Sequence, residues 1–208
     1  MDCPTLAPPT HLAKLKALHP TQMTVGMREV SAKRQVLRGQ GAPSLSDGDP
    51  SETFIPVVRG PSESLWIIDR HHLARALYEE DEEMAPVRVV ADLGHLSKKR
   101  FMTAMDCRNW LHPYDANGKR CPLDAMPRHI GKLVDDPYRA LASQVRREGG
   151  YAKTTVPYAE FMWADYFRHH IRRHHVEAKF DKVKARAIAL AQDDEAAYLP
   201  GWIGKAPA

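Results

Sequence analysis

Ser64–Tyr78, reading SLWIIDRHHLARALY, decides the fold. Leu65, Trp66, Ile67 and Ile68 are bulky, apolar and β-favouring, and they follow the turn-forming Gly60-Pro61-Ser62, so they predict a buried strand. The run breaks at Asp69. A carboxylate there suits a helix N-cap, and Leu73, Ala76 and Leu77 then fall on one face of the helix that follows. Arg70, His71 and His72 occupy its first turn. Helix-start amides, the positive end of the helix dipole and two or three side-chain donors converge at such a turn, which is how proteins hold phosphate. The same four residues also admit a plainer alternative, a simple cap followed by solvated histidines.

Working outward, Phe54–Val58 and Leu65–Ile68 flank Gly60-Pro61-Ser62-Glu63 and predict a β-hairpin. After the helix over residues 70–80 comes the acidic run Glu79–Glu83, which reads as a solvated helix end, and Pro86–Ala91 adds another strand. Upstream, Leu12–Leu18 partly alternates and stops at Pro20, as a strand does before a turn. Met27–Leu37 places Met27, Val30 and Leu37 on roughly one face and predicts a helix ending before Gly39. Glu29 and Lys33 lie four apart on it, the spacing of a surface ion pair. Residues 1–10 predict an unstructured lead-in and residues 39–53, rich in Gly, Ser, Asp and Pro, a mobile loop.

The second half changes character. Lys98–Leu111, Asp136–Arg147, Pro157–Arg173 and Val176–Ala191 all have helical spacing. Three of these segments carry apolar stripes that predict core: Tyr138, Leu141, Ala142 and Val145; Trp163, Ala164, Phe167 and Ile171; Phe180, Val183, Ala187 and Leu190. Tyr114–Arg120 reads as a turn tightened at Asn117-Gly118. Arg168–His175 is the most basic stretch. His170 and His174 share a helical face, but no neighbouring Cys or carboxylate completes a metal-binding signature, so a basic or anion-binding helix end is expected and no metal ligand is assigned. The fold class is therefore α+β: a small mixed sheet with helices over residues 1–95, then a mainly helical extension over 96–208.

The 208 residues can bury a sizeable core, and 43% hydrophobic with 27% charged is ordinary for a globular chain. A net charge of +4 and a pI near 9.0 permit contact with nucleotides or nucleic acid without deciding for DNA. Cys3, Cys107 and Cys121 are odd in number and far apart, which argues against a disulfide framework and fits a cytoplasmic protein. The N-terminus lacks an apolar signal-peptide core, and no run is long enough to predict a membrane helix.

Several motifs, in order, carry a resemblance. Leu18-His-Pro-Thr-Gln22 with Val25-Gly26 and Glu29-Val30, then Ile55-Pro-Val-Val58, Gly60-Pro61 and Ile68–Leu77, are similar to those of the ParB-like nuclease family, within the wider ParB/sulfiredoxin fold. The likeness continues through Asp92-Leu93, Phe101, Asp136–Ala142, Gly149–Ala152 and Glu160–Arg168. It implies a small mixed sheet whose Asp-x-His-His turn receives a nucleotide's phosphates. Relatives in this fold bind and hydrolyse CTP, use ATP to repair oxidised peroxiredoxin, or phosphorylate free serine. The sulfiredoxin nucleophile is missing, since Asp69-Arg70-His71-His72 holds no Cys, and so is the partitioning proteins' Gly-Glu-Arg-Arg box. The kinases pair such a turn with an acidic residue on the early helix, here Glu29. Arg70 stands where many relatives have Gly, and Leu73 where they have Arg.

The resulting expectation is a nucleotide-dependent phosphotransferase or nucleotide hydrolase acting on a small hydroxyl-bearing substrate or water. Arg70, His71, His72 and Arg75 hold the phosphates of ATP, ADP or CTP, and Thr21 and Gln22 line the same pocket, with Lys33 a charge partner. Glu29 is the base, with Asp69 and His72 the other catalytic candidates; Asp69 caps the turn or shares Mg²⁺. Two alternatives stand beside it. One is a metal-dependent nuclease drawing on Glu29, Asp69 and Asp92. The other is a non-catalytic DNA- or partner-binding module.

Overall fold

In the computed structural model, which describes residues 10–41 and 54–205, the apolar run forms β5 (Leu65–Ile67) of a mixed five-stranded sheet. With β1 (Thr10–Lys14), β2 (Leu18–Pro20), β4 (Ile55–Arg59) and β6 (Met84–Asp92), the strand order is β1-β6-β4-β5-β2. The predicted hairpin is there: β4 and β5 run antiparallel, Val57 facing Ile67 and Arg59 facing Leu65. Gly60 closes its turn by donating to the Ser64 carbonyl at 2.7 Å, and a Cβ on Gly60 would lie 2.9 Å from the Phe101 ring and the Ser64 hydroxyl. That position therefore requires glycine. β4 and β6 pair parallel in the middle of the sheet, and Ile55, Val57, Ala85 and Val87 are buried there, as β-branched and apolar residues should be.

The single strand predicted over Leu12–Leu18 is two strands. A 3-10 turn at Leu15–Ala17 separates β1, on one edge beside β6, from β2, on the other edge parallel to β5. Leu15 and Leu18 are both fully buried, so the local pattern reads as continuous although the chain changes edges between them. Two further short strands, β3 (Thr24–Val25) and β7 (Val134–Asp135), pair separately.

The helices of the first half are α1 (Met27–Gln40), α2 (His71–Glu79) and α3 (Lys98–Cys107). Phe101 and Met105 of α3 pack against Val58 and Trp66 of the sheet, with Leu93 and Leu111 beside them. This explains where the chain divides. Of its two compact units, the first holds the described residues of 1–24, 29–115 and 120–134, so α3 and the turns after it belong with the sheet, beyond the change in composition at residue 95.

The second unit holds residues 25–28, 116–119 and the described residues from 135 onward. Its helices are α4 (Pro137–Arg147), α5 (Ala159–His170), α6 (Arg173–Ala178) and α7 (Phe180–Ala191). The predicted stripes form its core: Leu141, Val145, Trp163, Phe167, Val183 and Ala187 are buried together, and Tyr151 stacks on Trp163 with ring centroids 4.2 Å apart. Asp136 caps α4, its carboxylate accepting the Tyr138 amide at 3.0 Å, with Pro137 in the first turn. The basic stretch Arg168–His175 is not one helix. Ile171 is extended (φ −131°, ψ 125°), so His170 ends α5 and His174 lies on α6. Lys179 (φ −138°, ψ 48°) separates α6 from α7, dividing the last predicted helix as well. The turn at Asn117-Gly118 is present, with Gly118 at φ +76°. Among the described residues no helix is long and apolar enough to cross a membrane. Of the predicted lead-in, residues 1–9 lie outside the described residues and Thr10 opens β1; of the predicted loop, residues 42–53 lie outside them, and Gly39 and Gln40 end α1.

Candidate functional site

Where β5 ends, the chain must reverse onto α2 within a few residues, and it does so through Arg70 in the left-handed region, φ 65° and ψ 30°. Arg70, not Asp69, is the cap residue of α2. Asp69 Oδ1 instead accepts the Arg70 amide at 2.6 Å, which holds the turn from outside the helix, and the first helical bond runs from the Ala74 amide to the Arg70 carbonyl at 3.0 Å. Asn and Gly are the usual residues for such a geometry, so an Arg there gives no sequence signal for it.

His71 and His72 then take different roles. His71 is 4% exposed, and its Nε2 accepts the Thr21 amide at 3.1 Å; the Thr21 hydroxyl lies 3.3 Å from the same nitrogen and donates to the Ile67 carbonyl at 2.5 Å. That ring latches the end of β2 to the start of α2, and with Nε2 accepting, its ring proton belongs on Nδ1. His72 turns toward α1. Its Nε2 is 2.9 Å from Glu29 Oε2, with the two side chains 15% and 6% exposed. The two atoms are within ion-pairing distance, and the pair carries opposite charges only when the His72 ring is protonated. Glu29 sits in the first turn of α1, where the helix dipole favours an anion.

The remaining predicted residues separate into two groups. Thr21 and Gln22 are buried, 2% and 6% exposed, and lie beside this turn through the Thr21–His71 latch. Arg70 is partly buried, and its NH1 atom is enclosed with no hydrogen-bond partner among the described residues. Arg75 and Lys33 are placed elsewhere. The Arg75 guanidinium pairs with Glu79 at 2.7 Å, and its NH1 donates to the carbonyls of Ile130, Gly131 and Leu133 at 3.3, 3.0 and 2.9 Å, so it ties the segment 130–133 to α2. Lys33 is exposed on α1. Asp92 accepts the Gly94 amide at 2.9 Å and faces Arg59 at 3.8 Å.

The acidic run lies at the opposite end of α2. Glu80 takes Arg34 at 2.6 Å and Arg38 at 2.7 Å, and those guanidinium groups, Arg38 first, hold its carboxyl below the usual range. Asp81, Glu82 and Glu83 line an open cavity of about 500 Å³ with Lys14, Lys16 and Tyr78. Among the described residues no group of three His, Cys, Asp or Glu is placed to hold a metal ion.

A family model described as "Putative ParB-like nuclease" matches residues 11–169. The chain belongs to the ParB-like nuclease family. Within reach of this ParB-like chain is the crystal structure of protein Atu1540 from Agrobacterium tumefaciens, 40% identical, covering 96% of this chain and 98% of that one with a TM-score of 0.87. A C-terminally truncated chromosome-partitioning ParB from Caulobacter crescentus, complexed with CTP-γ-S, is 10% identical over 90% of this chain and 94% of that one, with a TM-score of 0.32. That superposition is too distant to place its nucleotide on the ParB-like chain described here. No curated protein matches the chain.

Proposed function

We propose that the start of α2 receives the phosphates of a nucleotide and that the His72–Glu29 pair beside it takes the proton in a phosphoryl transfer to a small hydroxyl-bearing substrate or to water. The observation that carries this reading is the 2.9 Å contact between two ionisable groups withdrawn from solvent, positioned at a helix N-terminus. Phosphoryl transfer demands charge neutralisation and alignment more than elaborate covalent chemistry. Arg70, with an enclosed guanidinium nitrogen that has no hydrogen-bond partner among the described residues, and the first-turn amides of α2 supply the positive charge.

The proton steps follow from the ring's two nitrogens. With Nε2 facing Glu29, a proton leaving the attacking hydroxyl reaches His72 through Nδ1, while Glu29 holds the ring and balances the charge it acquires. The new oxygen–phosphorus bond forms as the bond to the bridging oxygen breaks, and that electron pair leaves with the nucleoside diphosphate or monophosphate. Glu29 thus positions the base through His72. Calorimetry with ATP, ADP and CTP in the presence of Mg²⁺ tests the reading. Heat of binding for one of them, lost in a variant combining Arg70→Ala with His72→Gln, is the expected result; no binding of any of the three removes the proposal.

The description of the family favours a second reading, hydrolysis of a nucleic-acid phosphodiester at the same turn. A plasmid-nicking assay with Mg²⁺ or Mn²⁺ separates the two, because only this reading expects nicks that disappear in His72→Gln.

A further inference from the structure

Thr21 makes a second connection besides its latch on His71: its carbonyl accepts the His112 amide at 2.8 Å. The segment following α3 is thereby strapped beside the residues that hold the α2 start. Gln22 and His112 form a parallel bridge, so their side chains project to the same face. The Tyr114 amide bonds back to the His112 carbonyl at 3.0 Å across Pro113, a three-residue turn that lays the Tyr114 ring on the His112 ring, centroids 4.6 Å and planes 28° apart.

Gln22 gives this arrangement its chemistry. It is 6% exposed, and its Nε2 has no hydrogen-bond partner among the described residues. A buried amide donor in that condition is costly unless a ligand supplies the acceptor. We infer that Gln22 and the His112–Tyr114 ring pair form the subsite for the base of the nucleotide whose phosphates reach the start of α2. The inference rests on the phosphate reading of that helix start. A nucleobase offers a flat π face to set beside the Tyr114 ring, and ring-nitrogen or carbonyl acceptors at its edge for the Gln22 amide. An inorganic phosphate chain has acceptor oxygens but no π face, so the ring pair is what tells the two apart. The connection also fits, because one residue and a hydrogen bond on either side of it link His71 to the His112 amide, a path of at most about 10 Å, within the span of a ribose and its phosphates.

The test compares ATP and CTP with inorganic tripolyphosphate, each titrated with Mg²⁺ into the full chain and into Gln22→Leu, Tyr114→Ala and Tyr114→Phe. A nucleotide is expected to bind the unaltered chain about ten-fold or more tightly than tripolyphosphate, and Gln22→Leu and Tyr114→Ala each to lose about ten-fold of that affinity while tripolyphosphate changes by less than about two-fold. Tyr114→Phe keeps the ring and is expected to keep the affinity. Gln22→Leu, which removes a buried donor without a partner, should unfold at no lower a temperature than the parent. Equal affinities for nucleotide and tripolyphosphate, or a parallel loss of both in the variants, overturn the base subsite and leave the phosphate reading standing. Failure of both probes to bind the unaltered chain overturns the phosphate reading, and the subsite falls with it.

Discussion

Glu29 and His72 face each other across 2.9 Å from the first turns of α1 and α2. The two helix dipoles act on them in opposite senses: the start of α1 favours the carboxylate, while the start of α2 disfavours a positive ring. In the proposed mechanism Glu29 balances the charge that His72 takes on with the proton. Glu29→Gln keeps the shape and removes the charge. Under the proposed mechanism it should lower kcat by roughly 10²–10⁴-fold, the usual contribution of positioned acid–base groups, with a much smaller change in KM. Steady-state kinetics decide it, and an unaltered kcat excludes Glu29 from the reaction.

Arg70 combines a left-handed backbone, φ 65°, with an enclosed guanidinium nitrogen that has no hydrogen-bond partner among the described residues. Strain and function separate in one substitution. Arg70→Gly relieves a conformation that costs a non-glycine residue about 1 kcal/mol or more, offset in part by the greater freedom of glycine in the unfolded chain, so stability should hold or rise by up to about 1 kcal/mol. Nucleotide affinity should fall all the same. Retained affinity in a folded Arg70→Gly, measured by calorimetry beside thermal melting, would show that the side chain does not touch the phosphates.

Periodicity made the large elements legible, because Leu65–Ile67, the α2 stripe and the stripes of α4, α5 and α7 each bury a pattern visible within a few residues. What stayed hidden depends on contacts between residues far apart in the chain. The change of sheet edge at Leu15–Ala17 leaves no mark on a pattern that remains apolar at Leu15 and Leu18. The extended Ile171 that ends α5 is as apolar as the helix interior, so nothing local announces the break. At the site, the residue types around Asp69 pointed to the turn, but adjacent histidines carry no sign of which will latch β2 and which will meet α1. That division follows from where Thr21 and Glu29 lie.

Arg75 illustrates the same point with a measurable outcome. Three carbonyls and Glu79 surround its guanidinium, which is 13% exposed, so its substitution removes a tie within the first unit. Arg75→Met keeps much of the apolar stem and leaves those carbonyls without their donor. A loss of about 2–3 kcal/mol in unfolding free energy is expected, with nucleotide affinity of the folded protein unchanged. Denaturant unfolding and calorimetry on one preparation check both parts. Loss of affinity with full stability would return Arg75 to the phosphates.

Asp136 and Arg168 form a buried pair in the second unit, Oδ2 to NH2 at 2.7 Å, with Asp136 2% exposed. Burial pushes the Asp136 carboxyl above its ordinary 3.8, outweighing Arg168, the Tyr138 amide and Arg139, which act the other way. Between 3.8 and that raised value the folded chain binds more protons than the unfolded one, so the stability Asp136 contributes is complete below 3.8 and is lost as pH rises through the folded value. Asp136→Asn mimics the protonated side chain and keeps a cap oxygen for the Tyr138 amide. It should melt at the same or a higher temperature than the parent near neutral pH, the difference closing as the solution is acidified. Arg168→Met leaves the carboxylate buried without its closest cation and should cost about 3 kcal/mol or more near neutral pH, a deficit that also shrinks on acidification as the carboxyl takes up its proton. A lower melting temperature for Asp136→Asn at neutral pH, or a deficit in Arg168→Met that grows toward acid, would mean that pairing outweighs burial at this carboxylate.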